Sequence, residues 1–278
     1  MPESPVPVAG AALAGPAAAP VVVLGNSLGT STAVWDRQVA ALRQHVQLVC
    51  FDLPGHGGSP AAAGPYTVGG LGAGVLELAD SLGVGRFAYC GISLGGMIGM
   101  WLAANAPDRI TGLGLVCTSA YLPPADSWRA RARQVQADGM ASVAAAIVGR
   151  WFTPAFSAAH PQVIGEFRAE LERTDPAGYA ACCEAIAAMD LRADLSRIAA
   201  PTLVLAGADD PATPPEHGAA IAGLSKGARL DVIPATAHLA TVEAADAVTR
   251  AILATPVSTT VTHARAASGT TDAGGSRG

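Results

Sequence analysis

Lysine is nearly missing from this chain: Lys226 is the single one among 17 basic residues, and the rest are arginine. That is a compositional bias rather than a basic surface, because no run or stripe of positive charge occurs and the net charge is -5. A nucleic-acid partner would need such a stripe and is excluded. Charged residues of both signs make up only 14% and aromatics 5%, while half the residues are hydrophobic. That balance excludes a disordered chain and implies a packed globule. No run of 18 or more apolar residues free of loop formers is present, so no membrane span is expected. The opening stretch "MPESPVPVAGAALAG" has Glu3, no positive cluster and interrupting prolines, which does not make a secretory signal. The five cysteines are odd in number and lack metal-ligand spacing: Cys50, Cys90 and Cys117 lie in strand-like runs, and Cys182 and Cys183 are adjacent. They read as buried thiols of a reducing compartment. The expectation is a soluble cytoplasmic protein with no metal and no membrane association.

At 278 residues the chain can bury one large α/β core. Strand-like runs at 21–24, 47–52, 86–90, 112–117, 202–206 and 229–233 alternate with helix-length segments such as "AVWDRQVAALRQ" and "LGGMIGMWLAANAP". Such alternation implies βαβ units and a mostly parallel sheet with helices on both faces. Between 121 and 195 the rhythm breaks. Helical patterns recur there ("SWRARARQVQADGM", "SVAAAIVGRWF", "HPQVIGEFRAELERT", "GYAACCEAIAAMD") without a strand. An insertion of that kind would sit above the carboxyl ends of the strands, where open sheets bind ligands. The chain thus divides into a core first part (1–120), a helical cap (121–195), a core second part (196–254) and a Thr-, Ser- and Gly-rich flexible tail (255–278).

The pattern Gly-x-Ser-x-Gly occurs twice, as "GNSLG" at 25–29 and "GISLG" at 91–95. It marks a serine held on a tight strand-to-helix turn, but a chain of this kind needs only one nucleophilic serine. Ser93 is followed at once by a helix-length segment, whose first N–H groups could face developing negative charge. After Ser27 the loop "LGTST" intervenes, so that copy belongs to a loop supplying a backbone donor. A serine hydroxyl needs a base, and the base needs an orienting acid. Downstream of Ser93, "LVLAGADDPATPP" places two aspartates after a strand, with Asp210, deeper in the loop and before Pro211, preferred to Asp209. "LDVIPATAHLATVE" then places His238, alone among the six histidines, at a strand-to-helix junction beyond the acid.

With "LGNSLGTSTAVWD", "DLPGHGGS", "GISLGG", "GADDPATPP" and "TAHL" in this order, the chain resembles the α/β-hydrolases over roughly residues 20–254. More narrowly, "NSLGTSTAVWD", "SWRAR", "GRWFTP" and "YAACCEAI" followed by "DLR" resemble the 3-oxoadipate enol-lactonases of aromatic-acid catabolism. The resemblance implies an α/β-hydrolase fold with an inserted helical cap and a triad of Ser93, His238 and Asp210. It also implies an oxyanion hole made of the backbone N–H groups of Leu28 and Leu94. Asn26-Ser27 stand where most of the family reads His-Gly, and the short, alanine-rich start suggests stunted edge strands. The substrate would be a small carboxylated lactone, with no cofactor required. Of the cap arginines Arg129, Arg131, Arg133 and Arg150, the matched motifs favour Arg131 and Arg150 as the carboxylate fork. Trp128 and Trp151, with Phe152, would form the apolar walls. Some relatives are fused at the carboxyl end to a carboxymuconolactone decarboxylase, and the tail would then be a linker. The alternatives are another serine hydrolase of this fold (esterase, carbon–carbon bond hydrolase or perhydrolase) or a hydrolase-fold ligand receptor, which would normally carry a broken triad.

Overall fold

The computed structural model describes residues 4–10 and 13–254; the tail from 255 onward lies outside the described residues. The six strands expected from the sequence are present, each end within two residues of its expected place. They are β2 (Val21–Gly25), β3 (Gln47–Asp52), β4 (Phe87–Ile92), β5 (Ile110–Val116), β6 (Thr202–Gly207) and β7 (Arg229–Ile233). A two-residue strand, β1 (Ala9–Gly10), adds an edge. The sheet order is β1-β3-β2-β4-β5-β6-β7, with β1 antiparallel to β3 and every other pair parallel. The central strands β4 and β6 are buried along their whole length. This is why they read as near-continuous apolar runs and not as alternating ones: helices cover both faces. Among the described residues, no helix is long and apolar enough to cross a membrane.

Flanking helices close the layers: α1 (Asp36–Leu42), α2 (Val68–Ser81) and α3 (Leu94–Asn105). The start of α2 is set by Thr67, whose side chain accepts from the Gly70 N–H at 2.8 Å. Helix α3 is apolar on nearly every side because it lies inside the protein against the sheet. It approaches the strands closely, and small residues make that possible. A methyl at Gly95 would run into the Gly25 and Asn26 carbonyls, and one at Gly91 into the Gly95 backbone. Tyr89 clamps the contact by donating its hydroxyl to the Gly95 carbonyl at 3.0 Å. Gly95→Ala is therefore expected to cost about 3 kcal/mol or more, seen as a fall in Tm of roughly 10 °C. An unchanged melting curve would show that the helix has room to retreat.

Between β5 and β6 the chain makes five helices: α4 (Ala125–Asp138), α5 (Ala141–Val148), α6 (Pro154–Ala159), α7 (Pro161–Arg173) and α8 (Pro176–Ala188). Antiparallel pairing of Tyr121 with Asp190 joins the two ends of this excursion. Prolines at the first positions of α6, α7 and α8 fix where each begins. Asp175 caps α8 by accepting from the Ala177 and Gly178 N–H groups, both at 2.9 Å. The segment rests on loops at the carboxyl ends of the strands: the Asp175 N–H donates to the Gly55 carbonyl at 2.9 Å, and Gly29 abuts Leu171 and Tyr179. Its fifth helix is followed by β6, then α9 (Pro215–Leu224), β7, α10 (Ala240–Glu243) and α11 (Ala245–Leu253).

One helix is shorter than its sequence pattern. "SVAAAIVGRWF" reads as helical throughout, yet α5 stops at Val148. The backbone of the next residues is used elsewhere: the Trp151 carbonyl accepts from the Leu239 N–H at 2.9 Å, and the Thr153 N–H donates to the Glu243 carboxylate at 3.1 Å. Those bonds turn the chain so that Arg150 and Trp151 line one cavity.

Candidate active site

Ser93 sits between β4 and α3 with φ of 55° and ψ of -117°. A side-chain-bearing residue is strained there, and the surroundings hold it in place. Its N–H donates to the Val116 carbonyl at 2.9 Å, and its own carbonyl accepts from the Thr118 hydroxyl at 2.7 Å. The turn leaves the Ser93 side chain lining a cavity of about 170 Å³ at the carboxyl ends of the strands. That is small beside drug-sized pockets of about 300–1,000 Å³, and suits a ligand of few atoms.

His238 lines the same cavity from the loop after β7. Its Nδ1 lies 2.8 Å from Asp210 Oδ2 in the loop after β6, with both side chains almost fully buried. The Asp210 carboxylate is saturated. Oδ1 accepts from the Ala212 and Thr213 N–H groups at 2.8 and 3.0 Å, and Oδ2 also accepts from the Thr213 hydroxyl at 2.7 Å. Burial alone would raise this carboxyl, but the charge and hydrogen bond of His238 and the Thr213 donors outweigh it. The group is held well below the usual carboxylate range. An ionised acceptor on Nδ1 keeps the imidazole proton there and leaves Nε2 as the nitrogen free to take a proton. Asp209, by contrast, is exposed and makes no side-chain hydrogen bond among those described.

The loop after β2 supplies the facing wall, with Ser27 and Leu28 lining the cavity. Asn26 does not point there. Its side-chain amide donates to the Phe51 carbonyl at 2.8 Å and to Asp52 Oδ1 at 3.2 Å, and its backbone carbonyl accepts from the Gly95 N–H at 2.9 Å. Asp52 braces the same loop by accepting from the Thr32 N–H at 2.8 Å. This scaffold was not foreseen from the sequence; two polar residues at adjacent strand ends are its only signal. It leaves the N–H groups of Leu28 and Leu94 without a protein acceptor among the described residues. Leu94 is also the first residue of α3, at the positive end of its dipole.

The helical excursion forms the roof. Arg131 and Trp128 come from α4, and Arg150 and Trp151 from the turn after α5; all four line the cavity. The Arg131 guanidinium lies 4.5 Å from the Trp128 ring centroid, and the Trp128 indole N–H donates to the Leu122 carbonyl at 3.1 Å. Trp151 is held edge-on to Phe167. Neither Arg131 nor Arg150 has a carboxylate partner among the described residues, whereas Arg129 pairs with Asp126 and Glu184. Burial, and then the neighbouring Arg131 charge, lower the Arg150 pKa. Two like charges lining one cavity favour an anion within it. Arg133 and Phe152 do not line the cavity, and Phe152 packs instead with Phe156 and Phe167. Tyr179 lines the cavity from α8 and was not anticipated; in "GYAACCEAI" it reads as one more apolar helix position.

The five cysteines are free thiols. Burial raises Cys50 to about 11 and both Cys90 and Cys183 to about 12, which leaves them protonated and unreactive. Among the described residues, no group of three or more His, Cys, Asp or Glu side chains is placed to hold a metal. A hydroxyl on a strained turn, a buried carboxylate–imidazole pair and two unpartnered N–H groups together equip the cavity for acyl transfer.

Comparison with known proteins shows the family of the fold. A family model for the alpha/beta hydrolase fold matches residues 20–245. The chain is 37% identical to 3-oxoadipate enol-lactonase 2 of Acinetobacter baylyi, over 86% of this chain and 89% of that one. It is 31% identical to a putative carbamate hydrolase of Variovorax paradoxus, over 86% and 92%. Among solved structures, an enol-lactonase from Burkholderia xenovorans superposes with a TM-score of 0.86 at 38% identity, covering 88% of this chain and 95% of that one.

Proposed function

The chain belongs to the α/β-hydrolase family, and we propose that it hydrolyses 3-oxoadipate enol-lactone to 3-oxoadipate in aromatic-compound catabolism. The reaction would run through an acyl-enzyme on Ser93. His238 Nε2 takes the Ser93 proton as Oγ attacks the lactone carbonyl, and Asp210 stabilises the imidazolium that forms. The oxyanion of the tetrahedral intermediate lies against the Leu28 and Leu94 N–H groups, each worth about 2.7–4 kcal/mol in comparable sites. Collapse breaks the ring carbon–oxygen bond and releases an enolate, which stays tethered to the acyl group. Charge delocalisation makes it a good leaving group, and it receives its proton from His238. Water, deprotonated by His238, then attacks the Ser93 ester and frees the serine, while the enol tautomerises to the ketone.

The observation that carries this reading is the pair of guanidinium groups without carboxylate partners, Arg131 and Arg150, on the cavity that holds Ser93 and His238. The substrate's carboxylate must leave water to enter, and left unpaired it would cost several kcal/mol. Trp128 and Trp151 supply apolar walls for the ring. The names of the relatives support a lactone over a simple ester.

Replacing Arg131 or Arg150 by alanine is expected to cost about 2–5 kcal/mol in kcat/KM on the carboxylated lactone. Steady-state rates on a neutral ester, measured with the same variants, should barely change. Equal losses on both substrates would mean that the arginines only prop up the roof. A wild-type preference for neutral esters or carbamates would replace the lactone with another substrate of the same fold.

A further inference from the structure

Tyr179 has no part in the steps above, yet it is fixed in the cavity with a free donor. It stands in the first turn of α8, 1% exposed, and lines the cavity wall beside the arginines. Its ring stacks on His56, with centroids 6.2 Å apart and planes at 25°. A side chain at Gly29 would crowd its edge at 3.3 Å. His56 is itself fixed, with Nδ1 3.0 Å from the Pro54 carbonyl, and burial lowers its imidazole to about 4. His56 is therefore neutral at working pH.

The polar neighbours of the phenol are cations. Arg131 and Arg150 line the same cavity, and both charges act on the phenol. Burial raises the phenol well above its usual range, against the opposing pull of both arginines, so it stays a neutral O–H. No protein acceptor among the described residues takes its proton. A phenol oxygen can accept from a guanidinium while its own O–H points elsewhere, and each bond polarises the other. A hydroxyl donor on the cavity wall, next to two guanidinium groups without carboxylate partners, is a set of donors suited to an anion.

We propose that Tyr179 is a specificity-determining residue whose hydroxyl donates to the substrate carboxylate, as a third donor beside Arg131 and Arg150. The proposal rests on the enol-lactone reading and narrows it to lactones whose carboxylate reaches this corner of the cavity.

Tyr179→Phe keeps the ring, its volume and the stack on His56, and removes only the donor. On 3-oxoadipate enol-lactone the KM is expected to rise about tenfold or more, with kcat nearly unchanged. On the neutral enol-lactone with methyl in place of carboxymethyl, both constants should stay at wild-type values, which also shows that the variant is folded. Equal losses on the two lactones, or no change on either, would overturn the assignment of Tyr179. A wild-type enzyme with no preference for the carboxylated lactone would overturn the enol-lactone reading and this inference with it. A wild-type preference that is undiminished in Tyr179→Phe overturns this inference alone.

Discussion

Ser93→Ala is expected to lower kcat by about 10⁶-fold, leaving only what the oxyanion donors and binding supply. The substitution removes one oxygen and leaves intact the backbone bonds to Val116 and Thr118 that hold the turn. Its melting temperature should stay near that of the wild type, so the loss would be chemical. Ser27, in the other Gly-x-Ser-x-Gly copy, is the matched control. It also lines the cavity, but from a loop whose assigned part is played by the Leu28 N–H. Ser27→Ala should keep activity within about tenfold. A fluorophosphonate probe followed by peptide mass analysis should label Ser93 and not Ser27. Label on Ser27, or a dead Ser27→Ala enzyme, would reverse the two roles.

Asp210→Asn is expected to cost about 10⁴-fold in kcat with the fold intact. The amide oxygen can still accept from the Ala212 and Thr213 N–H groups. The amide nitrogen would then face His238 Nδ1, where a carboxylate oxygen now lies at 2.8 Å. A donor in that place makes Nδ1 an acceptor and moves the imidazole proton to Nε2, which can then no longer take the Ser93 proton. Asp209→Asn, on an exposed side chain, should change kcat less than about twofold. Kinetics of the two purified variants decide between the neighbours, and a severe Asp209 effect with a mild Asp210 effect would move the acid by one residue.

Much of this was legible in the sequence for physical reasons. Strands buried on both faces write themselves as apolar runs, so β4 and β6 could be read directly. The Ser93 turn is legible because a helix must start at once after it, and Gly91 and Gly95 betray the close approach. Acid and base could be ranked because each follows a strand in chain order. What escaped is what depends on three-dimensional neighbours. Tyr179 reads as helix core until α8 is seen to turn it onto the arginines and His56. The end of α5 is set by Leu239 and Glu243, roughly ninety residues away, and no local pattern announces it. Asn26 and Asp52 brace the loop after β2 across two strands, a partnership that exists only once the sheet has formed.

The central claim is that the cavity pairs a Ser93 acyl-transfer centre with a site for a carboxylate. The wild-type ratio of kcat/KM tests it most directly, measured on 3-oxoadipate enol-lactone and on the same ring with methyl in place of carboxymethyl. The two lactones share the reacting carbonyl and the enolate leaving group and differ in the anion that Arg131 and Arg150 would meet. The account predicts a preference for the carboxylated lactone of about 100-fold or more. A ratio near one, or a preference for the methyl lactone, would contradict it.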